Sequence, residues 1–258
     1  MSSFLIVPVQ AQPVINSGWT DTPPTIDGVL APGEWDDATM IAFTFLDPIG
    51  NPTGHGGLLF VMNNGIDLFI ALTFGDDDTH ISDCIGIAFD NDNVGPLTTG
   101  DDGIGMVYKP PLSFIDTYFL SGGPPGWPED VIGGGTTDGN GWRKQDAVLT
   151  WCYEMSHPLD SLDDTHDFSL SLGESVGFAL FWMDFYTGGY QTFVWPANFE
   201  DLNVEGDFGE IRIAEKPDPH PVGGIIFQID KLTILTPYLL IALTVVTATT
   251  ILIKKRKH

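Results

Sequence analysis

Residues 69–106 read FIALTFGDDDTHISDCIGIAFDNDNVGPLTTGDDGIGM. Two apolar runs, 69–74 and 84–89, are each followed by a carboxylate cluster, Asp76-Asp77-Asp78 and Asp90-Asn91-Asp92, and Asp101-Asp102 forms a third. Short runs bounded by turn formers and rich in β-branched and aromatic residues have the signature of strands. Carboxylates placed just beyond such strands collect along one rim of a domain, where like charges repel unless a cation intervenes. Calcium suits such a rim, because it takes about six to eight oxygens in tolerant geometry. The candidate calcium ligands are Asp90, Asp92, Asp101 and Asp102, with Asp76 and Asp78 in reserve. The DNDN run offers alternating oxygens but lacks the glycine and glutamate that an EF-hand loop requires. The competing reading is a solvated acidic rim. A further acidic group, Asp160, Asp163, Asp164 and Asp167, has the look of turn and cap residues.

Outward from this stretch, the same pattern recurs. Further strands are expected at 40–46, 57–62, 105–108, 113–120, 147–155, 168–172, 175–185, 190–194 and 208–213. Alternation is visible in Leu149-Thr-Trp-Cys-Tyr-Glu-Met155 and Phe168-Ser-Leu-Ser-Leu172. Short strands separated by turns, with 30 glycines and 19 prolines and no sustained helical period, predict an all-β antiparallel two-sheet sandwich, jelly-roll-like, over residues 12–215. Residues 110–142, rich in Gly, Pro and Trp, are expected to form a long surface loop. Trp35, Trp151 and Trp182 are expected in the core.

The charge is uneven. Residues 1–230 hold 35 acidic residues against five basic ones, a formal charge of −30. That field repels nucleic acid and anionic headgroups and excludes them as partners. Cys84 and Cys152 show no metal or haem-attachment spacing and lie in apolar runs; free thiols are expected, with one disulfide as the other reading in an oxidising compartment.

The two ends read differently from the middle. Residues 232–253 carry no charge, enough at ~1.5 Å per residue to cross a hydrocarbon core of about 30 Å. Lys254-Lys255-Arg256-Lys257 follows at once. The positive-inside rule then keeps residues 254–258 in the cytoplasm and puts the preceding domain outside. The expectation is an ectodomain followed by one C-terminal transmembrane helix, with residues 216–231 as a stalk. Residues 1–11, a short apolar run ending at Val9-x-Ala11, resemble the remnant of a secretory signal; a strand of the domain is the other reading.

Pro24-Thr-Ile-Asp-Gly28, Gly33-Glu-Trp35 and Ala38 resemble the opening signature of family 9 carbohydrate-binding modules and their DOMON-like relatives. Asp83-Cys-Ile-Gly-Ile-Ala-Phe-Asp-Asn-Asp92 is similar to the strand entering their acidic loop, and Trp195-Pro196 with Asp207-Phe-Gly-Glu-Ile-Arg-Ile213 to their last strand. The tail resembles the anchors of archaeal surface proteins. The resemblance implies a calcium-stabilised β-sandwich, one branch of which grips sugars between aromatic side chains while another holds haem b through axial side chains.

Sugar binding needs flat aromatic faces and polar groups for the hydroxyls. The candidates are Trp195 and Tyr190 near a Gly188-Gly189 turn, Trp127 and Trp142 flanking the long loop, and Gln191 and Asn198 as polar partners. Haem b would need axial ligands from Met106, Lys109, Met155 or Met183. For catalysis, Glu154 could pair with Asp184, and the chain has no GxSxG, HExxH or phosphate-binding loop. The sequence therefore predicts a surface-anchored, non-catalytic, calcium-stabilised module for a glycan or cell-envelope polysaccharide. Haem-based redox function and a structural envelope role with cation-mediated self-association are the alternatives.

Overall fold

The computed structural model describes residues 12–75, 83–107, 113–120, 127–145, 150–186, 189–196 and 208–218. Residues Met1–Pro217 form one compact unit and Asp218–His258 a second, which lies outside the described residues beyond Asp218. The expected signal remnant, transmembrane helix and basic tail all fall outside them too. Among the described residues no helix is long and apolar enough to cross a membrane.

The first unit is all-β. Its strands are β1 (Val14–Asn16), β2 (Gly18–Trp19), β3 (Thr39–Leu46), β4 (Pro52–Asn63), β5 (Asp67–Gly75), β6 (Cys84–Asp90), β7 (Asp102–Val107), β8 (Ser113–Tyr118), β9 (Asn140–Gln145), β10 (Thr150–Pro158), β11 (Ser175–Tyr186), β12 (Gly189–Trp195) and β13 (Gly209–Arg212). A single turn of helix, α1 (Asp130–Gly133), sits between β8 and β9. The hydrogen-bonded order is β8-β7-β6-β11-β12-β3-β4-β5-β10-β9, antiparallel throughout, with β1 and β2 added in parallel to β13 and β4. Two five-stranded layers thus face each other. They are not separate sheets: one pair, Val194↔Leu46, joins β12 to β3 and makes the sheet nearly closed.

Side chains alternate between faces of a strand, and this period builds the core. Phe43 and Phe45 of β3, Leu59 and Val61 of β4, Ile70 and Leu72 of β5, and Tyr153 and Met155 of β10 point inward from one layer. Ile85 and Ile87 of β6, Ile104 and Met106 of β7, Phe178 and Trp182 of β11, and Phe193 of β12 meet them from the other. Each large side chain buried this way contributes about 1.5–3 kcal/mol. Trp35, Trp151 and Trp182 are buried as expected. Met106 and Met155, weighed as haem ligands, converge over Gly141, where a Cβ would come within 2.6 Å of Met106 Sδ and 3.3 Å of Met155 Cγ.

Some expectations are corrected. The stretch 110–142 is not one long loop, since it holds all of β8 and α1 and the start of β9. β9 reads NGWRKQ and carries too little apolar character to announce itself. Only Ser169 of the expected strand 168–172 makes a bridge, to Asp160. Neither cysteine forms a disulfide. Cys84 precedes the inward-facing Ile85 and Cys152 lies between the inward-facing Trp151 and Tyr153, so the thiols face out of opposite layers. Burial pushes the Cys152 thiol up to about 12.

The opening segment is held by one carboxylate. Glu154 of β10 faces outward, and its Oε2 accepts the backbone N–H groups of Asp27 (2.9 Å), Gly28 (2.7 Å) and Val29 (3.3 Å) while Oε1 accepts Trp35 Nε1 (2.9 Å). Gly28 has φ +79°, and a Cβ there would lie 2.8 Å from the Arg143 carbonyl carbon, so the turn needs glycine on both counts. Glu34 closes the segment on itself by accepting from Thr25 and Ala31 N–H. Trp35 then packs with Met62, Phe69 and Ala71 on the outer face of the layer. Burial raises the Glu154 pKa above its ordinary value, while the donors from Asp27, Trp35 and Gly28 pull it back. Glu154→Gln puts an amide NH2 where an acceptor is needed. It should cost about 1–3 kcal/mol, read as a lowered urea midpoint at unchanged m-value.

Candidate functional site

The period that builds the core also carries charge into it at one end. Asp102 shares the inward face of β7 with Ile104 and Met106, Asp116 shares that of β8 with Phe114, and His157 follows Tyr153 and Met155 along β10. The loop after β10 brings Leu159, Phe168 and Leu170 into the core, with Asp167 beside them. Asp130, the first residue of α1, completes the group, and all five polar side chains are buried.

His157 Nδ1 lies 2.7 Å from the Pro158 carbonyl oxygen. A carbonyl only accepts, so Nδ1 carries the hydrogen and Nε2 is left as a lone pair in the neutral ring. That nitrogen stands 3.8 Å from Asp102 Oδ2, 3.9 Å from Asp116 Oδ1 and 3.8 Å from Asp167 Oδ2. Phe168 covers the ring at 4.6 Å between centroids. Asp130, Asp163 and Asp167 form an adjoining group that shares Asp167. Both oxygens of Asp102, Asp130 and Asp167, Oδ1 of Asp116 and Nε2 of His157 are buried without a hydrogen-bond partner. Such atoms ordinarily cost about 1–3 kcal/mol each, and more when charged.

The electrostatics follow. Burial drives Asp102 well above the carboxylate range, Asp116 to about 7 and Asp130 to about 9, with neighbouring carboxylates adding to the rise. Burial alone would lower His157, but Asp102, Asp167 and Asp116 raise it to about 9. Asp167 is lowered, because contact with His157 outweighs its burial.

The loop between β6 and β7 is tied differently. Asp90 Oδ2 accepts Gly95 N–H (2.6 Å), Asp92 Oδ1 accepts Val94 N–H (3.2 Å) and Asp101 Oδ1 accepts Asn91 N–H (3.0 Å). Asp101 Oδ2 accepts Thr98 N–H. Asn91 bridges to Asp102 N–H and to the Gly100 carbonyl. Burial raises Asp90 to about 7 and Asp101 above its ordinary value. Of the expected metal ligands, Asp90, Asp92 and Asp101 therefore shape this loop, Asp102 joins the buried cluster, and Asp76 and Asp78 lie outside the described residues. In the later acidic group, Asp160 accepts from Leu162 N–H and Asp163 from Thr136 N–H and Thr165 Oγ, the turn roles foreseen, whereas Asp167 turns inward.

The aromatic candidates do not share a surface. Trp195 faces the core, 5.7 Å from Phe43 and 5.8 Å from Phe178, and is 9% exposed. Trp127 lies on the outer face of the β6–β7 layer against Phe119 and Phe181, and Gly103 beneath it leaves no room for a Cβ, which would meet the ring at 2.5 Å. Trp142, 53% exposed, stands opposite Glu154 on the outer face of the other layer. Tyr190 and Gln191 are both exposed near the tip of the β11–β12 hairpin, but as successive residues of β12 they face opposite sides, with Tyr190 5.4 Å from Phe185. Asn198 lies outside the described residues.

One cleft touches a candidate. Beyond Val194↔Leu46, β3 has no hydrogen-bonded neighbour on that side among the described residues. The gap is a cleft of about 450 Å³ lined by Gln12, Pro13, Ile41, Ala42, Phe43, Thr44, Leu46, Pro52, Trp195 and Pro196. That volume falls within the ~300–1,000 Å³ of small-molecule sites.

With this geometry in hand, the solved structures are informative. A family 9 carbohydrate-binding module from Caldicellulosiruptor kristjanssonii, in complex with cellotriose, aligns at a TM-score of 0.50 and 14% identity over 81% of this chain and 97% of its own. A Bacteroides uniformis protein named as a carbohydrate-binding candidate aligns at 0.50 and 11% identity over 79% and 99%. The fold is that of the family 9 carbohydrate-binding modules. No protein-family model matches the chain, and no curated protein matches it. Within the family 9-like fold, sequence reading missed His157, Asp116 and Asp130. The available signal was alternation: each strand-borne member occupies a core-facing position of its strand, where an apolar residue belongs. In the β6–β7 loop, Asp101→Ala leaves Asn91 and Thr98 N–H without their acceptor. It should lower stability by about 1–3 kcal/mol, measured by urea unfolding.

Proposed function

We propose that the chain is a non-catalytic glycan-binding module, held at the outer side of a membrane by its C-terminal apolar segment, with the glycan seated in the cleft along β3. The cleft carries this reading. Trp195 and Phe43 give it aromatic walls, Thr44 and Gln12 bring polar side chains, and the open edge of β3 presents backbone N–H and C=O groups of the kind that sugar hydroxyls need. The fold shared with a module that was crystallised with cellotriose supports the same class of ligand.

A non-catalytic role is supported by Glu154, whose carboxylate is taken up by three backbone amides and an indole. It faces outward from its layer, away from the β11 layer that holds Asp184, so the two do not flank a common bond. Membrane attachment rests on the uncharged stretch 232–253 and the basic residues after it.

Titrating the full chain in detergent with cellotriose and a panel of other oligosaccharides tests the reading. Binding is expected for at least one, and Ala42→Trp, which fills the cleft from an exposed strand position, should weaken it at least about tenfold, a loss of ~1.4 kcal/mol, at an unchanged Tm. Binding that survives Ala42→Trp and disappears with Tyr190→Ala would move the site to the hairpin tip. No binding across the panel would remove the glycan reading.

A further inference from the structure

The buried group at the β7, β8 and β10 ends is a set of ligand atoms pointing at a common point. A protonated imidazole would draw one carboxylate into a short charge-assisted hydrogen bond of about 2.7–2.9 Å. Instead Nε2 stands off from three carboxylates almost equally, at 3.8, 3.9 and 3.8 Å, too far to bond any of them. The ligand atoms of all four residues lie within 4.8 Å of one another. Three edges of this set are 3.8–3.9 Å and none exceeds 4.8 Å; with all edges at ~3.8 Å the centre would stand about 2.3 Å from each corner, within the range of calcium–oxygen bonds and beyond the ~2.0–2.2 Å of zinc.

We propose that Asp102, Asp116, His157 and Asp167 bind a divalent cation of calcium or manganese size between the two layers. Asp102, Asp116 and Asp167 supply the oxygens; the Nδ1–H···O=C bond to Pro158 holds the imidazole with Nε2 forward, the arrangement that orients metal-bound histidines. The orphaned oxygens of Asp102, Asp167 and Asp116 gain their partner in the cation. The carboxylates come from β7, β8 and the loop after β10, so the ion cross-links both layers and the loop that closes the core. Asp130 adds a second unpartnered carboxylate against Asp167 and strengthens the local field. This assignment is independent of the glycan reading, because the cluster and the cleft share no residue.

The test uses the full chain, stripped with chelator and reloaded with calcium, manganese or zinc. Saturation by calcium or manganese, at about a hundredfold excess over Kd, should raise Tm by about 5–10 °C, with zinc giving less. The manganese-loaded protein should show nitrogen hyperfine coupling from one imidazole in pulsed electron paramagnetic resonance. His157→Gln should abolish that coupling and weaken manganese at least about tenfold. Asp102→Asn with Asp116→Asn should remove binding; should that variant fail to fold, the nitrogen coupling and its loss in His157→Gln decide. No retained metal and no Tm response would overturn the proposal and make the cluster a protonated histidine among carboxylates. Binding unchanged in His157→Gln and in the double variant would overturn it equally, by placing the cation elsewhere.

Discussion

Moving a carboxylate from water into an apolar interior costs several kcal/mol unless something compensates, and one end of this sandwich does so with Asp102, Asp116, Asp130 and Asp167. An ordinary sandwich would close that end with leucine or phenylalanine. Here such residues, Phe168, Leu159 and Leu170, lie in the core alongside a buried polar group, Phe168 covering the His157 ring, and apolar surroundings raise the cost of charge within. The architecture around it follows from this burden. Three strands and a loop, from both layers, must hold their ends in register for the polar atoms to face one another and not hydrocarbon.

Strand β10 shows how one element serves two ends of the argument. Its even-numbered Glu154 faces out and is satisfied by three amides and an indole, fixing the segment that opens the chain. Three residues on, in the opposite register, His157 faces in and meets only acceptors. Both are buried ionisable groups on the same strand. What differs is the company: backbone donors need no counter-charge, whereas a ring nitrogen among carboxylates does.

The fold was legible where apolar runs were long. The runs at 40–46 and 84–89 correspond to β3 and β6, and the Asp27-Gly28 and Glu34-Trp35 motif marked a real docked segment. β9 was hidden because an edge strand reading NGWRKQ buries mainly Gly141 and Arg143 and shows no apolar alternation. The candidate site was mostly illegible for a different reason. Residues 102, 116, 130, 157 and 167 meet only through tertiary structure, and acidity concentrated around residues 76–102 drew the eye to the loop. The aromatic candidates scattered for the same reason, since closeness in sequence leaves open which face a strand gives each ring, and Trp127, Trp142 and Trp195 fall on three of them.

Among the described residues a single pair joins β12 to β3 and the rest of that edge of β3 has no strand partner; such an edge is a template onto which another chain can zip. Sheet proteins guard these edges, and here residues 1–230 carry a formal charge of −30. Long-range repulsion of that size opposes the approach of neighbouring copies, without blocking a small neutral molecule. The guard is only as long as the Debye length, about 8 Å at physiological salt and ~3 Å at 1 M. Colloidal behaviour and strand topology are therefore linked: the acidity that looks like mere solubility also opposes strand pairing between copies along an open seam.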